Sequence, residues 1–239
     1  MKIKFVLNGN CHRNFTVKIR RFNLLMAARS DSVPDIVDQV DECEVSRVLQ
    51  YWFSSPQGTE SSSGDYNFKY KWFPGAISLA QQRSVDAEVY TSFNNLFRDA
   101  LEMKLQHWQQ SASGSVALIV VLDQFSRHIC RHVGSMEQEQ RAADQLALQA
   151  SKAFFGRNGL PEGRVPSSDV MSLPMPQFVF ALMPLRHASA VPDLRYVLDK
   201  LKEKEECEEK HLLLLLKFRK QTTRQLQHLQ DRALVCDAD

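Results

Sequence analysis

Acidic, amide, basic and imidazole side chains are concentrated in one short segment, residues 123–131, which reads DQFSRHICR. This segment follows directly on the apolar run 116–122. Asp123 and Arg127 are four residues apart, so they can form an ion pair along a helix, and Arg131 extends the same face. Two interpretations follow: an ion pair that ties this helix to a neighbour, or an anion-binding pocket lined by the two arginines.

A second basic pair, Arg186 and His187, ends the sequence MPLRH later in the chain. Several basic groups that converge on one concavity would bind a carboxylate or a phosphate. The candidate binding residues are therefore Asp123, Gln124, Arg127, Arg131, Arg186 and His187. The sequence contains no glycine-rich phosphate loop, no G-x-S-x-G and no H-E-x-x-H, so it identifies no catalytic residue.

His128 and His132 have the spacing of a possible metal-binding pair, because residues four apart share one face of a helix. Zinc needs a third and usually a fourth ligand, and none follows at a useful spacing. The five cysteines occur singly, without a C-x-x-C pair, which indicates neither a disulfide framework nor a zinc knuckle. We therefore predict no metal, no cofactor and a reducing compartment.

The composition favours an all-α fold. The chain has 239 residues, of which 44% are hydrophobic and 24% charged, as in water-soluble globular proteins that bury a sizeable core. Only 9 glycines and 9 prolines argue against the many turns of a β-sandwich or barrel. The run VALIVVL at 116–122 suits a buried strand or a buried helix. Since no second run of this kind is available to pair with it, we predict a helix.

Apolar residues at helical spacing predict antiparallel helical hairpins over residues 35–234. The predicted helices cover 35–53, a long segment that Ser84 caps and that ends near 111–115, then 137–155, the short stretch 177–187, and 192–234 as one long helix or a hairpin of two. The compositions of 54–70 and 156–176 predict loops, and the charge run KLKEKEECEEK predicts a solvent-exposed face. The predicted core contains the aromatic residues Tyr51, Trp52, Phe53, Trp72, Phe73, Phe93, Phe97 and Trp108.

Residues 1–34 are predicted to form a basic, poorly ordered segment, and residues 235–239 a tail. The first 30 residues hold seven basic and no acidic side chains, whereas the rest of the chain holds 23 basic and 28 acidic ones. A mildly acidic body argues against direct nucleic-acid binding, and no apolar run approaches the roughly 20 residues that cross a membrane. The basic N-terminus resembles a mitochondrial or plastid transit peptide. An organelle is nevertheless the alternative prediction: the leading one is a cytoplasmic protein, in which residues 1–25 are a disordered extension or translation begins at Met26 rather than Met1.

A set of motifs occurs in a characteristic order along residues 45–225. They are VLQYWF at 48–53, KWF at 71–73, Asp86, Trp108, LDQFSR at 122–127, Asp144 ahead of Leu146 and Ala147, and MPLRH at 183–187. In this order they resemble the family called domain of unknown function 924. The resemblance implies a tetratricopeptide-like array of stacked helical hairpins and implies no reaction, because none is established for the family.

The chain departs from the family pattern at polar positions. Ser126 and His128 stand where the family commonly has proline and asparagine, and Ala188 and Ser189 follow His187 where the family has serine and glutamate. The closing motif of the family keeps only its basic character, at residues 217–225. These departures weaken any activity that the family's polar motifs serve.

The leading functional hypothesis is a helical-repeat interaction or scaffold module with a protein or peptide partner, because stacked helix pairs create a concave surface. The first alternative is a small-anion-binding protein or an enzyme that uses the basic pocket. The second, suggested by the resemblance alone, is a helical accessory domain of a tRNA-modifying PP-loop protein.

Overall fold

The computed structural model describes residues 35–54, 69–157, 167–207 and 212–236. Every regular element in these ranges is helical, which confirms the predicted all-α class. The α-helices are α1 (Asp35–Phe53), α2 (Lys69–Trp72), α3 (Leu79–Leu101), α4 (Ala112–Ile119), α5 (Ser126–Val133), α6 (Glu137–Phe154), α7 (Ser167–Ser172), α8 (Met175–His187), α9 (Val191–Cys207) and α10 (Leu212–Cys236). The basic segment 1–34, most of the serine-rich loop and residues 237–239 lie outside the described residues.

The segment 112–133 forms the centre of the fold, and the helical interpretation of 116–122 is confirmed. A π-helical segment, Val120–Phe125, joins α4 to α5 and contains Asp123. Helices α1, α3, α6 and α8 all contact this central element. Because neighbours surround it, the run is apolar all round rather than amphipathic.

A close backbone approach fixes the start of α4. The Ser111 hydroxyl caps the helix by accepting a hydrogen bond from the Gly114 amide at 3.0 Å. A Cβ atom at Gly114 would lie 2.2 Å from the Trp108 carbonyl oxygen, so only glycine fits there without a backbone shift. This contact holds α4 against the 3₁₀ turn Gln106–Gln110.

The predicted bounds of α3 are wrong at both ends. Ser78, not Ser84, caps this helix, and its Oγ accepts a hydrogen bond from the Gln81 amide at 3.0 Å. The helix ends at Leu101, well before 111–115, and Met103 follows with a positive φ of 59°. The apolar periodicity continued past this end because Leu105 and Trp108 remain buried although the chain has turned.

The C-terminal segment is a hairpin of two helices rather than one long helix. Helix α10 packs on α9 and on α8. Arg219 of α10 donates to the Glu205 carboxylate of α9 at 2.6 Å, and Gln225 donates to the Arg186 carbonyl at the end of α8 at 3.1 Å. Only residues 208–211 separate the end of α9 from the start of α10, which is too short a connection for two helices packed side by side to run parallel, so they are antiparallel. The tetratricopeptide-like stacking of further hairpins stays a prediction.

Two predictions about this half of the chain are wrong. Residues 156–176 are not a continuous loop, because they include α7 and the first residues of α8. Lys204, in the charge run, is buried rather than solvent-exposed, and its ammonium group donates to the Leu173 carbonyl at 2.8 Å. Its aliphatic stem packs in the core while the ammonium group donates to carbonyls at the C-terminal end of α7, those of Met171 and Leu173.

Most of the predicted core aromatic residues are buried, and two of them, Tyr51 and Phe53, are partly buried against the core. Trp52 is fully buried and packs edge-on against Phe125 and Phe180, with ring centroids 5.5 and 5.6 Å away. Phe73 is 53% exposed, so its prediction as a core residue is wrong. The neighbouring Trp72, at the end of α2, is buried instead and packs on Phe180 with ring centroids 4.6 Å apart. None of the helices in the described part of the chain is both long and apolar enough to cross a membrane.

Candidate functional site

Asp123 is the centre of a polar cluster between the π-helical segment, α5, α6 and α8. Its side chain is 1% exposed. One carboxylate oxygen, Oδ1, lies 2.8 Å from Nδ1 of His187 and 3.3 Å from Nη2 of Arg127. The other oxygen, Oδ2, accepts a hydrogen bond from the Gln124 amide at 2.5 Å. The carboxylate is therefore held from both sides.

Local helical geometry explains part of this cluster. Asp123 and Arg127 form the ion pair at a spacing of four residues that the sequence predicted. His187 reaches the same carboxylate from the last position of α8, 64 residues further along the chain. The packing of α8 on the central helical element therefore completes the cluster.

Arg127 also contacts a carboxylate that was not predicted as a site residue. Its Nη2 donates to Oδ1 of Asp144 at 2.7 Å, across to α6. Gln140 donates to the same oxygen at 3.0 Å and to the Ser126 hydroxyl at 3.1 Å. Asp144 was visible in the sequence only as one of the residues that carry the family resemblance.

The cluster keeps Asp123 ionised. Burial acts to raise the pKa of this carboxyl, but the hydrogen bond from His187 and the charge of Arg127 outweigh burial and hold the pKa below its usual value. An ionised carboxylate only accepts hydrogen bonds, so Nδ1 of His187 carries the proton and donates it. Nη2 of Arg127, 3.2 Å from that nitrogen, is then a neighbour and not a hydrogen-bond donor to it.

Arg186 lies beside this cluster without an acidic partner. Its Nη1 donates to the neutral Oε1 of Gln221 on α10 at 3.1 Å, and its guanidinium carbon is 5.1 Å from the centroid of the Phe218 ring. Burial lowers the pKa of Arg186, although the charge of Asp123 opposes this effect. Among the described residues, no carboxylate comes within ion-pair distance of this guanidinium.

Two buried donors of the cluster lack acceptors. Nε of Arg127 and Nε of Arg186 are both inaccessible to solvent, and neither has a hydrogen-bond partner within the described ranges. A buried donor without an acceptor destabilises a protein by about 1–3 kcal/mol. Such groups in a native structure commonly mark the position of a water or an ion.

Arg131 belongs to a second cluster, so the structure does not bring all the predicted site residues together. Its Nε and Nη2 donate to the two carboxylate oxygens of Asp86 on α3, at 3.1 and 2.8 Å. Nδ1 of His128 lies 2.7 Å from the same carboxylate. This cluster ties α5 to α3, whereas the cluster at Asp123 faces α6 and α8.

The second cluster contains an ionised acid and a neutral imidazole. Burial acts to raise the pKa of Asp86, but hydrogen bonds from His128 and Arg131 hold that pKa below its usual value. Burial lowers the pKa of His128, and the charge of Arg131 lowers it further against the effect of Asp86. With a side chain only 5% exposed, His128 is a core residue.

The chemistry of the described residues is that of hydrogen bonding and proton transfer. No group of three His, Cys, Asp or Glu side chains in these ranges could hold a metal ion. His132, the other half of the histidine pair, packs on Tyr90 with ring centroids 4.7 Å apart. Burial raises the pKa of the Cys130 thiol to about 11, so this cysteine is a poor nucleophile.

Comparison with known proteins gives a family and a fold. The model of a family described as "Bacterial protein of unknown function (DUF924)" matches residues 48–231. A solved structure, of a protein of unknown function, ATU0120, from Agrobacterium tumefaciens, is similar with a TM-score of 0.55 and 16% identity. The alignment covers 79% of this chain and 84% of that one. At this identity the likeness shows the fold alone, and no curated protein matches the chain.

Proposed function

The chain belongs to the DUF924 family, whose function is described as unknown, and we propose that it binds a small anion beside Asp123. In this proposal Arg186 and Arg127 hold the anion, and His187 lies at the edge of the site. The ligand class is a carboxylate or a phosphate, because the planar guanidinium group matches both in geometry and charge.

The observation that carries the proposal is the pair of buried Nε donors on Arg127 and Arg186. Both arginines flank the same carboxylate, and each uses only one of its terminal nitrogens for the hydrogen bonds described above. Both Nε atoms are buried, so the two guanidinium groups would have to turn toward an anion, and its hydrogen bonds with them would then remove an energetic penalty on each side.

The charges around the site favour an anion. Arg127 contacts both Asp123 and Asp144, and the neutral His187 adds a hydrogen bond from Nδ1 to Asp123. Arg186 supplies a further positive charge that no acidic side chain of the described ranges matches within ion-pair distance. An anion bound there would give the Arg186 guanidinium a counter-charge at contact distance, which the two carboxylates engaged by Arg127 do not supply.

Thermal denaturation with increasing succinate or inorganic phosphate tests this function, with sodium chloride at matched ionic strength as the control. Binding should stabilise the fold increasingly with concentration, by about 2.7 kcal/mol at one hundred times the dissociation constant. Arg186→Ala should abolish this stabilisation. Arg131→Ala is the matched control, because both donor edges of Arg131 face Asp86, and it should retain the effect. A flat response of the wild-type protein to both anions would contradict the proposal.

A helical-repeat interaction module is the second candidate function. The side-by-side packing of α8, α9 and α10 supports it, because helices stacked in this way present a shared surface. A stoichiometric protein captured from lysate, together with a flat anion screen, would favour this function over anion binding. A role beside a PP-loop enzyme, the identity of a partner and the choice between cytoplasm and organelle stay predictions from the sequence.

A further inference from the structure

We infer that His187 is a general base that activates water for the hydrolysis of an ester carrying a carboxylate group, with Asp123 as its positioning residue. This inference rests on the proposed anion binding, since Arg186 would hold the carboxylate of the substrate. It goes beyond that proposal by assigning a reaction class and a substrate class to the site.

The orientation of the imidazole is the first step of the argument. Nδ1 of His187 donates to the buried carboxylate of Asp123 at 2.8 Å, which fixes both the ring and its tautomer. In the neutral ring Nε2 therefore carries a lone pair and points away from that carboxylate. Nε2 has no hydrogen-bond partner in the part of the chain that the structure describes, and the side chain is 31% exposed.

Comparison with the other acid–histidine pairs of the chain is the second step. His128 has a similar contact to Asp86, but at 5% exposure its ring is closed to a substrate. His107 is exposed, but it uses Nε2 itself to contact Asp41, at 2.7 Å. Among the described residues, His187 combines a carboxylate on Nδ1, an Nε2 without a hydrogen-bond partner, a partly exposed side chain and neighbouring arginines. This is the arrangement that a general base requires.

The nucleophile is water, because the nearest reactive side chains are engaged or inactive. The Ser189 hydroxyl donates to the His187 carbonyl at 3.3 Å and accepts from Gln225 at 2.7 Å. The high pKa of about 11 leaves the Cys130 thiol protonated at neutral pH. No hydroxyl or thiol of the described ranges forms a hydrogen bond with Nε2 of His187.

The step balances with water as the co-reactant. Nε2 of His187 takes a proton from water while the water oxygen forms a bond to the ester carbonyl carbon. The bond from that carbon to the alcohol oxygen then breaks, and the imidazolium returns its proton to the departing alkoxide or to solvent. The products are a carboxylic acid and an alcohol, and nothing is oxidised or reduced.

Hydrolysis of 4-nitrophenyl hydrogen succinate by the full chain tests the inference, with neutral 4-nitrophenyl acetate as the comparison substrate. His187→Asn keeps a donor for Asp123 but removes Nε2, so kcat/KM for the anionic ester should fall at least tenfold. His107→Gln is the matched control, since it alters an exposed acid–histidine pair whose Nε2 already contacts Asp41, and it should stay within twofold of wild type. Arg186→Ala should raise KM for the anionic ester by more than it raises KM for the neutral ester.

Asp123→Asn separates positioning from structure. Loss of the carboxylate should lower kcat with KM unchanged, a split between the two constants that a merely structural change would not produce. As a measurement that needs no substrate, diethyl pyrocarbonate should modify His187 faster than His107, followed by peptide mass spectrometry.

The outcomes distinguish the two proposals. If succinate stabilises the protein but His187→Asn hydrolyses the anionic ester as fast as wild type, the general-base inference is wrong and anion binding stands. If wild type does not exceed the buffer rate, the inference is also wrong. If succinate fails to stabilise the protein, anion binding is wrong, and equal rates for the charged and neutral esters would then overturn the substrate class as well.

Discussion

Arg131 binds Asp86 through two parallel hydrogen bonds, from Nε to Oδ2 at 3.1 Å and from Nη2 to Oδ1 at 2.8 Å. The pair joins α5 to α3, and the Asp86 carboxylate is almost fully buried. Arg131 is thus committed to an acid within the protein, although its own side chain is 40% exposed.

Arg131→Ala should therefore destabilise the fold by about 2–3 kcal/mol, because a buried carboxylate loses two charge-assisted hydrogen bonds. Arg131→Lys should lose about half as much, since lysine cannot bind both oxygens in a fork. Urea unfolding measures both. Arg195→Ala, at an exposed position of α9, is the control and should change stability by less than about 0.5 kcal/mol. If Arg131→Ala left the free energy of unfolding unchanged, Arg131 would again be a candidate binding residue.

Arg127→Ala should be more destabilising, by about 3 kcal/mol, because the Asp123 carboxylate is 1% exposed and would lose its permanent positive partner. Asp144→Asn alters the exposed end of the same network and should cost less than about 1 kcal/mol. Chemical denaturation at neutral pH gives both values. If Arg127→Ala lowered the free energy of unfolding as little as Asp144→Asn does, His187 alone would suffice to stabilise the Asp123 carboxylate.

The stability of the protein should fall as pH decreases below about 6.5 because of His128. Burial lowers the pKa of this imidazole in the folded state, so the unfolded chain binds more protons between the folded and unfolded pKa values. The contribution is complete above the unfolded pKa and is lost as pH falls toward the folded one. Urea titrations between pH 5 and 8 should show this slope, and His128→Asn should flatten it. The slope should survive His132→Gln, which alters an exposed ring.

Gly114→Ala should destabilise the protein by about 2–3 kcal/mol, because the new Cβ would lie 2.2 Å from a backbone oxygen of Trp108 and the chain would have to move. Ser113→Ala, at the exposed neighbouring position, should stay within about 0.5 kcal/mol of wild type. Thermal unfolding of both variants and of the wild type measures these differences in stability. A stable Gly114→Ala protein would mean that the 3₁₀ turn before α4 shifts freely.

Cys130 should react slowly with iodoacetamide. With a pKa of about 11, roughly one thiol in a thousand is ionised at pH 8, and the thiolate is the reacting form. Peptide-resolved mass spectrometry should show alkylation at least tenfold slower than at the exposed Cys43. Comparable rates at the two cysteines would indicate that the region around Cys130 opens readily.

Local patterns predicted much of the helical architecture. The bounds of α1 are those predicted, and α6 differs from its prediction by one residue, because their apolar spacing and flanking breakers lie within each segment. The predicted C-terminal end of α3 is wrong because burial of Leu105 and Trp108 extends the apolar pattern beyond the end of the helix. The predicted exposure of Lys204 is wrong for a different reason: a long charged side chain can be buried when a neighbouring helix end supplies hydrogen-bond acceptors.

The sequence by itself determined the all-α class and the family, and it offered the pairing of Asp123 with Arg127 as one of two interpretations, since each depends on residue types or on a spacing of one helical turn. Only the tertiary structure decided that His187, 64 residues away, meets Asp123, and that Arg131 turns to Asp86, 45 residues away. Helix spacing sets which residues share a face. Which other helix contacts that face depends on how the helices pack, and packing is set by contacts between segments that are distant in the chain.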